Sequence, residues 1–298
     1  MPAVSVIIPA YNAEAVLEDA VESVRRQTYT DYEVIVADDG STDATAAVAD
    51  RLAEGFENLR VLHLPHAGLA ATRNRAIAEM TGNTIALLDA DDLWRPTKLQ
   101  RCMDYLQEHD GDRKIVYTPM APVRMDGTAM TGHSKPCKEG WLTEALFHSI
   151  FIHDPAVVFH REVFDTCGGF DEGLGVCIGH EYWLRVSTQF AFGLIDEPLA
   201  LRRWSETSLT RGNRSRARKT KAFVLRRFYH DRGGAEMLAT KPAHRRLAKV
   251  CLQAGRILLK EGQFVEARQH LAAAIGYRRG YLKAWPLYLT AATLSLGR

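Results

Sequence analysis

Cysteine is sparse in this chain. Cys102, Cys137, Cys167, Cys177 and Cys251 are scattered through 298 residues, odd in number and with no CxxC pair. That pattern speaks against a disulfide framework and a zinc site, and it fits a reducing compartment. No apolar run approaches the roughly 18 residues that a membrane-spanning helix needs. The opening Met1-Pro2-Ala3-Val4 has neither a basic n-region nor a small-residue cleavage site, so no signal peptide is expected and the setting reads as cytoplasmic. Positive charge is scarce over most of the chain: residues 1–198 carry 16 Lys and Arg against 31 Asp and Glu, whereas residues 199–298 carry 22 against 5. An acidic body speaks against a general nucleic-acid binder, whose footprint is basic where the chemistry sits. The reversal of sign suggests two functional parts.

What is present centres on Leu87-Leu88-Asp89-Ala90-Asp91-Asp92-Leu93-Trp94. Two apolar residues run into three carboxylates that repel one another and lose hydration. A hard divalent cation, Mg²⁺ or Mn²⁺, offsets both costs with one or two carboxylates and substrate phosphates as ligands. Asp89 and Asp91 are two apart, so an extended chain turns them to one side. The competing reading is an Asp-rich turn capping a helix near Pro96, and Asp92 is assigned that capping role.

The segments before it alternate in type. Val4-Ser5-Val6-Ile7-Ile8-Pro9 is a β-branched run closed by proline, Tyr32 to Ala37 a second strand, Arg60 to Leu64 a third and Thr84 to Leu88 a fourth. Residues 14–27, 43–54 and 68–80 have helical spacing or caps. Such alternation implies a parallel sheet covered by helices. Ligands then bind outside the carboxyl ends of the strands, where Tyr11, Asp39 and Asp89 with Asp91 fall.

The ordered set of Val4-Ser5-Val6-Ile7-Ile8-Pro9-Ala10-Tyr11-Asn12, Ser23 to Tyr29, Ala37-Asp38-Asp39-Gly40-Ser41-Thr42-Asp43, Gly68 to Asn74, Asp89-Ala90-Asp91-Asp92, Arg161 to Phe164 and Gly168 to Glu172 resembles the family 2 glycosyltransferases of the GT-A fold. The resemblance covers roughly residues 3–210. It implies an α/β, Rossmann-like, mostly parallel sheet with helices, and a nucleotide-diphosphate sugar, most often a UDP-sugar, as donor. By the same resemblance Tyr11 lies against the base, Asp39 accepts a base N–H, and the backbone of Pro9 and Ala10 holds the ribose region. Arg73 reaches the nucleotide or diphosphate, Asp89 the ribose or metal, and Asp91 is the main ligand of Mn²⁺ or Mg²⁺. The alternatives are a loop aromatic plugging the core edge for Tyr11, stabilisation of the turn and capping of the next helix, together with Asp38, for Asp39, and a helix-face salt bridge for Arg73.

Relatives mostly invert the anomeric centre, using the aspartate of a Glu-Asp pair just before Trp-Leu-Arg as general base. Here that pair falls on Ile178-Gly179, and neither can accept a proton. Glu181, His180, or no efficient base at all remain open. For Glu181 an ion pair with Arg185 is the bland alternative. The missing pair also keeps a non-catalytic nucleotide-sugar-binding or scaffold protein in view. A nucleotidyltransferase is a weaker rival, because Pro9–Asn12 lacks a glycine-rich, basic phosphate loop. His153-Asp154-Pro155 borders an expected acceptor site, and Trp141 is read first as an ordinary core tryptophan, with a place at that acceptor site as its other reading. Phe190 to Leu201 reads as a closing strand.

Residues 211–298 form an expected helical extension beyond a catalytic domain of residues 1–210. Arg202, Arg203 and Arg211 fall where relatives carry a loop over the diphosphate. Ten Lys and Arg against one acidic residue between 202 and 227 suit anionic headgroups at the inner membrane face, or a solvated helix face. Leu252 to Ala274 resembles one tetratricopeptide-type helical pair, which cannot bury its own face and is expected to pack on the catalytic domain or a partner subunit, as in a homo-oligomer. Pro286 to Leu296 reads as a packed helix or a surface anchor. The expected acceptor is a saccharide or lipid-linked hydroxyl, in polysaccharide or glycolipid assembly.

Overall fold

The computed structural model describes residues 2–130, 137–204 and 214–296. The chain divides into two compact units, Met1–Leu142 with Ile150–Glu206, and Thr143–Ser149 with Thr207–Arg298.

In the first unit the short aliphatic runs become buried strands. β1 (Val4–Ala10), β2 (Tyr32–Asp38), β3 (Leu59–His63) and β4 (Thr84–Leu87) alternate with α1 (Leu17–Arg25), α2 (Thr45–Glu54) and α3 (Leu69–Ala78). There follow β5 (Asp92–Trp94), α4 (Lys98–Glu108), β6 (Ile115–Tyr117) and β7 (Met120–Val123). Helix α5 (Thr143–His148) belongs to the second unit. A 3₁₀ turn at Asp154–Ala156 then leads into β8 (Val157–His160), α6 (Arg161–Cys167), α7 (Ile178–Val186), β9 (Gly193–Leu194) and β10 (Ala200–Arg203).

Among the described residues the strands form a seven-stranded sheet, β3-β2-β1-β4-β8-β6-β9, and a three-stranded one, β5-β10-β7. β3, β2, β1 and β4 are parallel, and β8 runs antiparallel between β4 and β6. Val4, Val6 and Ile8 share a core with Leu17, Val21 and Val24, so one face of β1 is sealed by α1. The expected closing strand over 190–201 is instead two short strands in different sheets. Asp196-Glu197-Pro198 separates them, and Pro198 has no N–H to continue a ladder.

Pro9 does not stop β1, which pairs with β2 as far as Ala10↔Asp38. The carbonyl of Ile7 accepts the Leu88 N–H at 3.0 Å on the β4 side, and the carbonyl of Ala10 accepts the Asp39 N–H at 2.8 Å on the β2 side. By alternation, the missing donor of Pro9 faces the β4 side beyond the last β1–β4 pair, Ile7↔Leu87, so no ladder bond is lost. Strand order reverses at this same gap, since the chain leaves β1 for β2 and β3 and returns to β4 on the other side. Such a switch point opens a crevice at the carboxyl edge.

The second unit is helical. α8 (Arg214–Asp231), α9 (Gly234–Met237), α10 (Thr240–Lys260), α11 (Phe264–Tyr277) and α12 (Trp285–Leu296) follow one another. Gly255 lets α10 and α11 approach closely, for a Cβ there would lie 2.6 Å from Leu271 Cγ. Leu258, Leu271 and Ala274 share their core with Ala284 and Ala291, so α12 covers part of the apolar face within the same unit. The basic stretch from residue 214 onward is helical. Phe147 of α5 lies 6.0 Å from the Phe228 ring, which gives that short helix its place beside α8.

Candidate functional site

The turns after β1 and β2 are stitched together. Asn12, whose short polar side chain tolerates its φ of 49°, accepts the Thr42 N–H at 2.9 Å and donates its own N–H to Ser41 Oγ at 3.0 Å. Asp39 is buried, and its carboxylate accepts the N–H groups of Ala67 at 2.8 Å and Gly68 at 2.9 Å. His66 Nδ1 lies 2.9 Å from Asp39 Oδ2. Gly40 is required in this turn: its φ is +69°, and a Cβ would sit 2.8 Å from His66 N. Tyr11 remains 47% exposed and stacks on the His66 ring at 4.3 Å. Tyr11 therefore offers a flat open face, while the oxygens of Asp39 already serve the loop that follows β3. Pro9 and Ala10 are buried in β1 at the lip of the crevice.

Across the gap stand the acidic residues that follow β4. Ligand oxygens of Asp89, Asp91 and Asp92 all lie within 4.8 Å of one another. Asp91 is exposed and Asp92 buried, while the Asp89 side chain keeps 32% of its surface. Burial pushes the Asp89 carboxyl up to about 6; Asp154 and Asp91 push the same way, and Arg73 opposes them. Burial, with Asp89 and Asp91 beside it, holds Asp92 well above the usual carboxylate range. Three mutually repelling oxygen donors are the set that a hard dication relieves, so the cluster fits Mn²⁺ or Mg²⁺.

Asp92 does not cap the helix near Pro96. It lies in β5, and its Oδ1 accepts the Arg203 N–H at 3.1 Å, because β5 pairs with β10. Helix α4 starts after Thr97 with no side-chain cap.

Arg73 is fully buried rather than exposed on a helix face. Its Nη2 donates to Asp89 at 2.5 Å and its Nη1 to Asp154 at 2.5 Å. Burial alone would lower its pKa, but the two carboxylates raise it above the ordinary value. Arg73 thus braces the crevice instead of pointing a free charge into it. Its neighbour Asn74 accepts the Phe170 N–H at 2.8 Å and donates to Phe170 O at 2.9 Å, tying α3 to the Gly-Gly-Phe turn.

Of the arginines expected over a diphosphate, Arg203 is buried and spent. It donates to Asp91 O at 2.8 Å, Asp19 Oδ2 at 2.6 Å and Val16 O at 2.9 Å, so it holds the backbone of Asp91 in place. Arg202 is exposed opposite Asp92, whose carboxyl feels its charge. Arg211 lies outside the described residues.

At the start of α7, Cys177 adopts a left-handed φ of 61° and Gly179 follows. His180 and Glu181 are buried, at 5% and 3% exposure. The Glu181 carboxylate lies 3.1 Å from Arg185 Nε, and Arg185 also donates to the carbonyls of Cys167, Gly168 and Gly169. The ion-pair alternative for Glu181 is thus realised: its charge is committed to fixing the α6–α7 turn. Trp141 is 70% exposed, so the core position does not hold. Asp154 accepts the Trp183 Nε1–H at 2.7 Å as well as the Arg73 N–H.

His66 was not singled out in the sequence. Its signal is faint: a histidine in a loop after β3, between Pro65 and Ala67-Gly68. Asp154 enters the crevice because antiparallel β8 begins beside the end of β4, Ala86 pairing with Val158.

A family model described as glycosyl transferase family 2 matches residues 5–168. A Bacillus subtilis (strain 168) glycosyltransferase named for teichuronic acid biosynthesis, TuaG, is 35% identical over 130 residues, 43% of this chain and 51% of that protein. The matched stretches span between 19% and 51% of the first curated relatives. The structure is similar to S. aureus TarS 1-349 in complex with UDP-GlcNAc, with TM-score 0.66 and 18% identity over 99% of this chain and 92% of that one. It is also similar to the mannosyltransferase PcManGT from Pyrobaculum calidifontis in complex with GDP-Man and Mn²⁺, with TM-score 0.62 and 22% identity over 99% and 81%. The fold is that of the GT-A glycosyltransferases, with a helical C-terminal region.

Proposed function

The chain belongs to glycosyl transferase family 2, and from that membership we propose that it moves a sugar from a nucleoside-diphosphate sugar, a UDP-sugar, to an acceptor hydroxyl with inversion. The observation that carries this reading is the crowded carboxylate cluster of Asp89, Asp91 and Asp92 on the turn after β4, with the exposed ring of Tyr11 on the turn after β1, the parallel neighbour strand at the switch point. The base of the donor stacks on Tyr11, backed by His66. Asp39 and the backbone of Pro9 and Ala10 shape the floor beneath it. Asp91 and Asp89 would hold Mn²⁺ or Mg²⁺, which when bound neutralises charge on the departing nucleoside diphosphate. Arg202 and Arg211 are assigned to the diphosphate side. Nucleotide-sugar complexes of two proteins of like fold support the donor class.

The name of TuaG supports a place in polysaccharide assembly, with a saccharide or lipid-linked acceptor. The basic 202–227 stretch would then meet anionic headgroups. No helix among the described residues is long and apolar enough to cross a membrane. The helical extension is left as a candidate surface for self-association.

Gly179 favours a second reading, a donor-binding protein with impaired catalysis. Incubation with UDP-GlcNAc and GDP-mannose plus Mn²⁺, following release of UDP or GDP, separates the two. Metal-dependent release is expected; binding without release would leave the second reading, and neither binding nor release would sink both.

A further inference from the structure

We propose that Asp154 is the proton acceptor of the transfer, its carboxylate delivered from the entry to β8 into the space that a side chain at residue 179 would fill. The inference rests on the glycosyl-transfer reading above and names a residue within it.

A Cβ on Gly179 would lie 2.8 Å from Asp154 Oδ2 and 2.9 Å from its Cγ, and closer still to Oδ1. The carboxylate of Asp154 therefore already occupies the room that residue 179 leaves vacant. An acidic side chain at 179 and Asp154 in its present place exclude each other. Glycine at 179 and aspartate at 154 make sense as a pair: the carboxylate is kept and its point of attachment has moved from α7 to the turn before β8.

The fold brings that carboxylate to the crevice. β8 runs antiparallel to β4, so residues just before β8 lie beside residues just after β4. The Arg73 guanidinium spans the two, with one nitrogen 2.5 Å from Asp154 and another 2.5 Å from Asp89. Trp183 Nε1–H at 2.7 Å and Arg73 fix the orientation of the carboxylate. These donors take two of its roughly four lone-pair directions, and the others can accept a hydroxyl proton. The rivals on α7 are less open: Glu181 is 3% and His180 5% exposed, against 14% for the Asp154 side chain.

The step balances without a further reactant. The acceptor O–H gives its proton to Asp154, and the acceptor oxygen forms a bond to the anomeric carbon. The bond from that carbon to the diphosphate oxygen breaks, its electron pair leaving with the nucleoside diphosphate. In slow donor hydrolysis, water takes the place of the acceptor.

The test uses the full chain with Mn²⁺, taking UDP-GlcNAc and GDP-mannose as donors, and reads donor affinity by calorimetry, hydrolysis rate and melting temperature. Asp154→Asn keeps an acceptor for Trp183 and should lose turnover by about 100-fold or more with donor affinity retained. Asp154→Ala combined with Gly179→Asp, which clears the room that an asparagine would still fill, should recover at least about tenfold over Asp154→Ala alone, because the carboxylate returns from α7. Gly179→Ala, which leaves Asp154 in the chain but displaces its carboxylate, should slow turnover about tenfold or more. This variant decides the matter if Asp154→Asn does not fold. Full turnover in Asp154→Asn, or in Gly179→Ala, overturns the proposal. Loss of turnover in Glu181→Gln at unchanged affinity, with Asp154→Asn still active, moves the role to α7. A parent protein that hydrolyses donor while Asp154→Asn does so equally defeats this inference alone. A parent that neither binds nor hydrolyses either donor defeats the transfer reading and this inference with it.

Discussion

The aspartates at the carboxyl end of β2 and those that follow β4 leave the same edge of one sheet, yet their surroundings are opposite. Asp38 and Asp39 are buried and satisfied. The N–H and hydroxyl of Ser41 meet Asp38, and the N–H groups of Ala67 and Gly68 meet Asp39. Their charge is used in shaping a turn. After β4 the carboxylates face each other instead. Asp89 is held up to about 6 and Asp92 well above the usual range, by burial first and by neighbouring carboxylates after it. A satisfied acidic turn is scaffold, whereas a cluster left short of positive charge marks where a charged ligand belongs.

The largest test of that contrast is to remove the exposed member of the crowded group. Asp91→Ala should cut Mn²⁺-dependent turnover by roughly 100-fold or more, matching the several kcal/mol that a metal supplies at a leaving group. Its melting temperature without metal should stay near that of the parent, since Asp91 is exposed. Unchanged metal-dependent donor binding in this variant would remove the metal assignment. Asp39→Ala should behave in the reverse sense. It leaves the Ala67 and Gly68 N–H groups without their acceptor, and stability should fall by about 3 kcal/mol in urea unfolding with or without Mn²⁺. A loss seen only with metal present would put Asp39 in the same class as Asp91.

The contrast was half legible in the sequence. Asp91 could be read because its neighbours are local: a strand ends, a carboxylate follows every second residue, and an apolar run precedes. The turn at Asp39 could be read for the same reason, through Gly40 and Ser41. Asp92 could not, because its place in β5 depends on pairing with β10, more than a hundred residues later. Arg203 was misread for the mirror reason: its partners Asp19 and Val16 sit on the far side of the chain. Asp154 was passed over as a border residue because an antiparallel strand slipped into a parallel sheet leaves no local periodicity to show which strand it will join. The helical pair of 252–274 was legible as a pair, but the cover over it came from small residues, Ala284 just before α12 and Ala291 within it, whose burial no hydrophobic run announces.

The same distinction extends to the cations. Arg73 is buried between two carboxylates. Lys98 is buried with no hydrogen-bond partner for Nζ among the described residues, only the Trp94 ring face at 4.1 Å. Burial pulls the Lys98 ammonium down to about 8 from 10.5. The unfolded chain therefore holds a proton that the folded chain releases between about pH 8 and 10.5, so stability rises with pH across that window and the full cost is present below it. That cost is at most about 3 kcal/mol, and the ring face offsets about 1 of it. Lys98→Met should raise the melting temperature at pH 7, and its advantage over the parent should shrink by pH 10. An advantage that does not change with pH would mean that packing, not charge, sets the cost.

The finest discrimination comes from Asp92→Asn. The amide oxygen still accepts the Arg203 N–H, so the β5–β10 contact survives while one of three clustered charges is lost. A carboxyl whose folded pKa is raised stabilises the fold only when protonated, and its cost grows as pH climbs from the usual carboxylate range through the folded value. Asp92→Asn should therefore melt about 2 to 4 °C above the parent at pH 7 in chelator, with the gain vanishing near pH 3. Added Mn²⁺ should narrow the gap, because an ion bound only by the folded chain offsets the repulsion in the parent. If Asp92→Asn is instead less stable in chelator, the charges after β4 are balanced by contacts of their own, and the two aspartate turns no longer differ in kind.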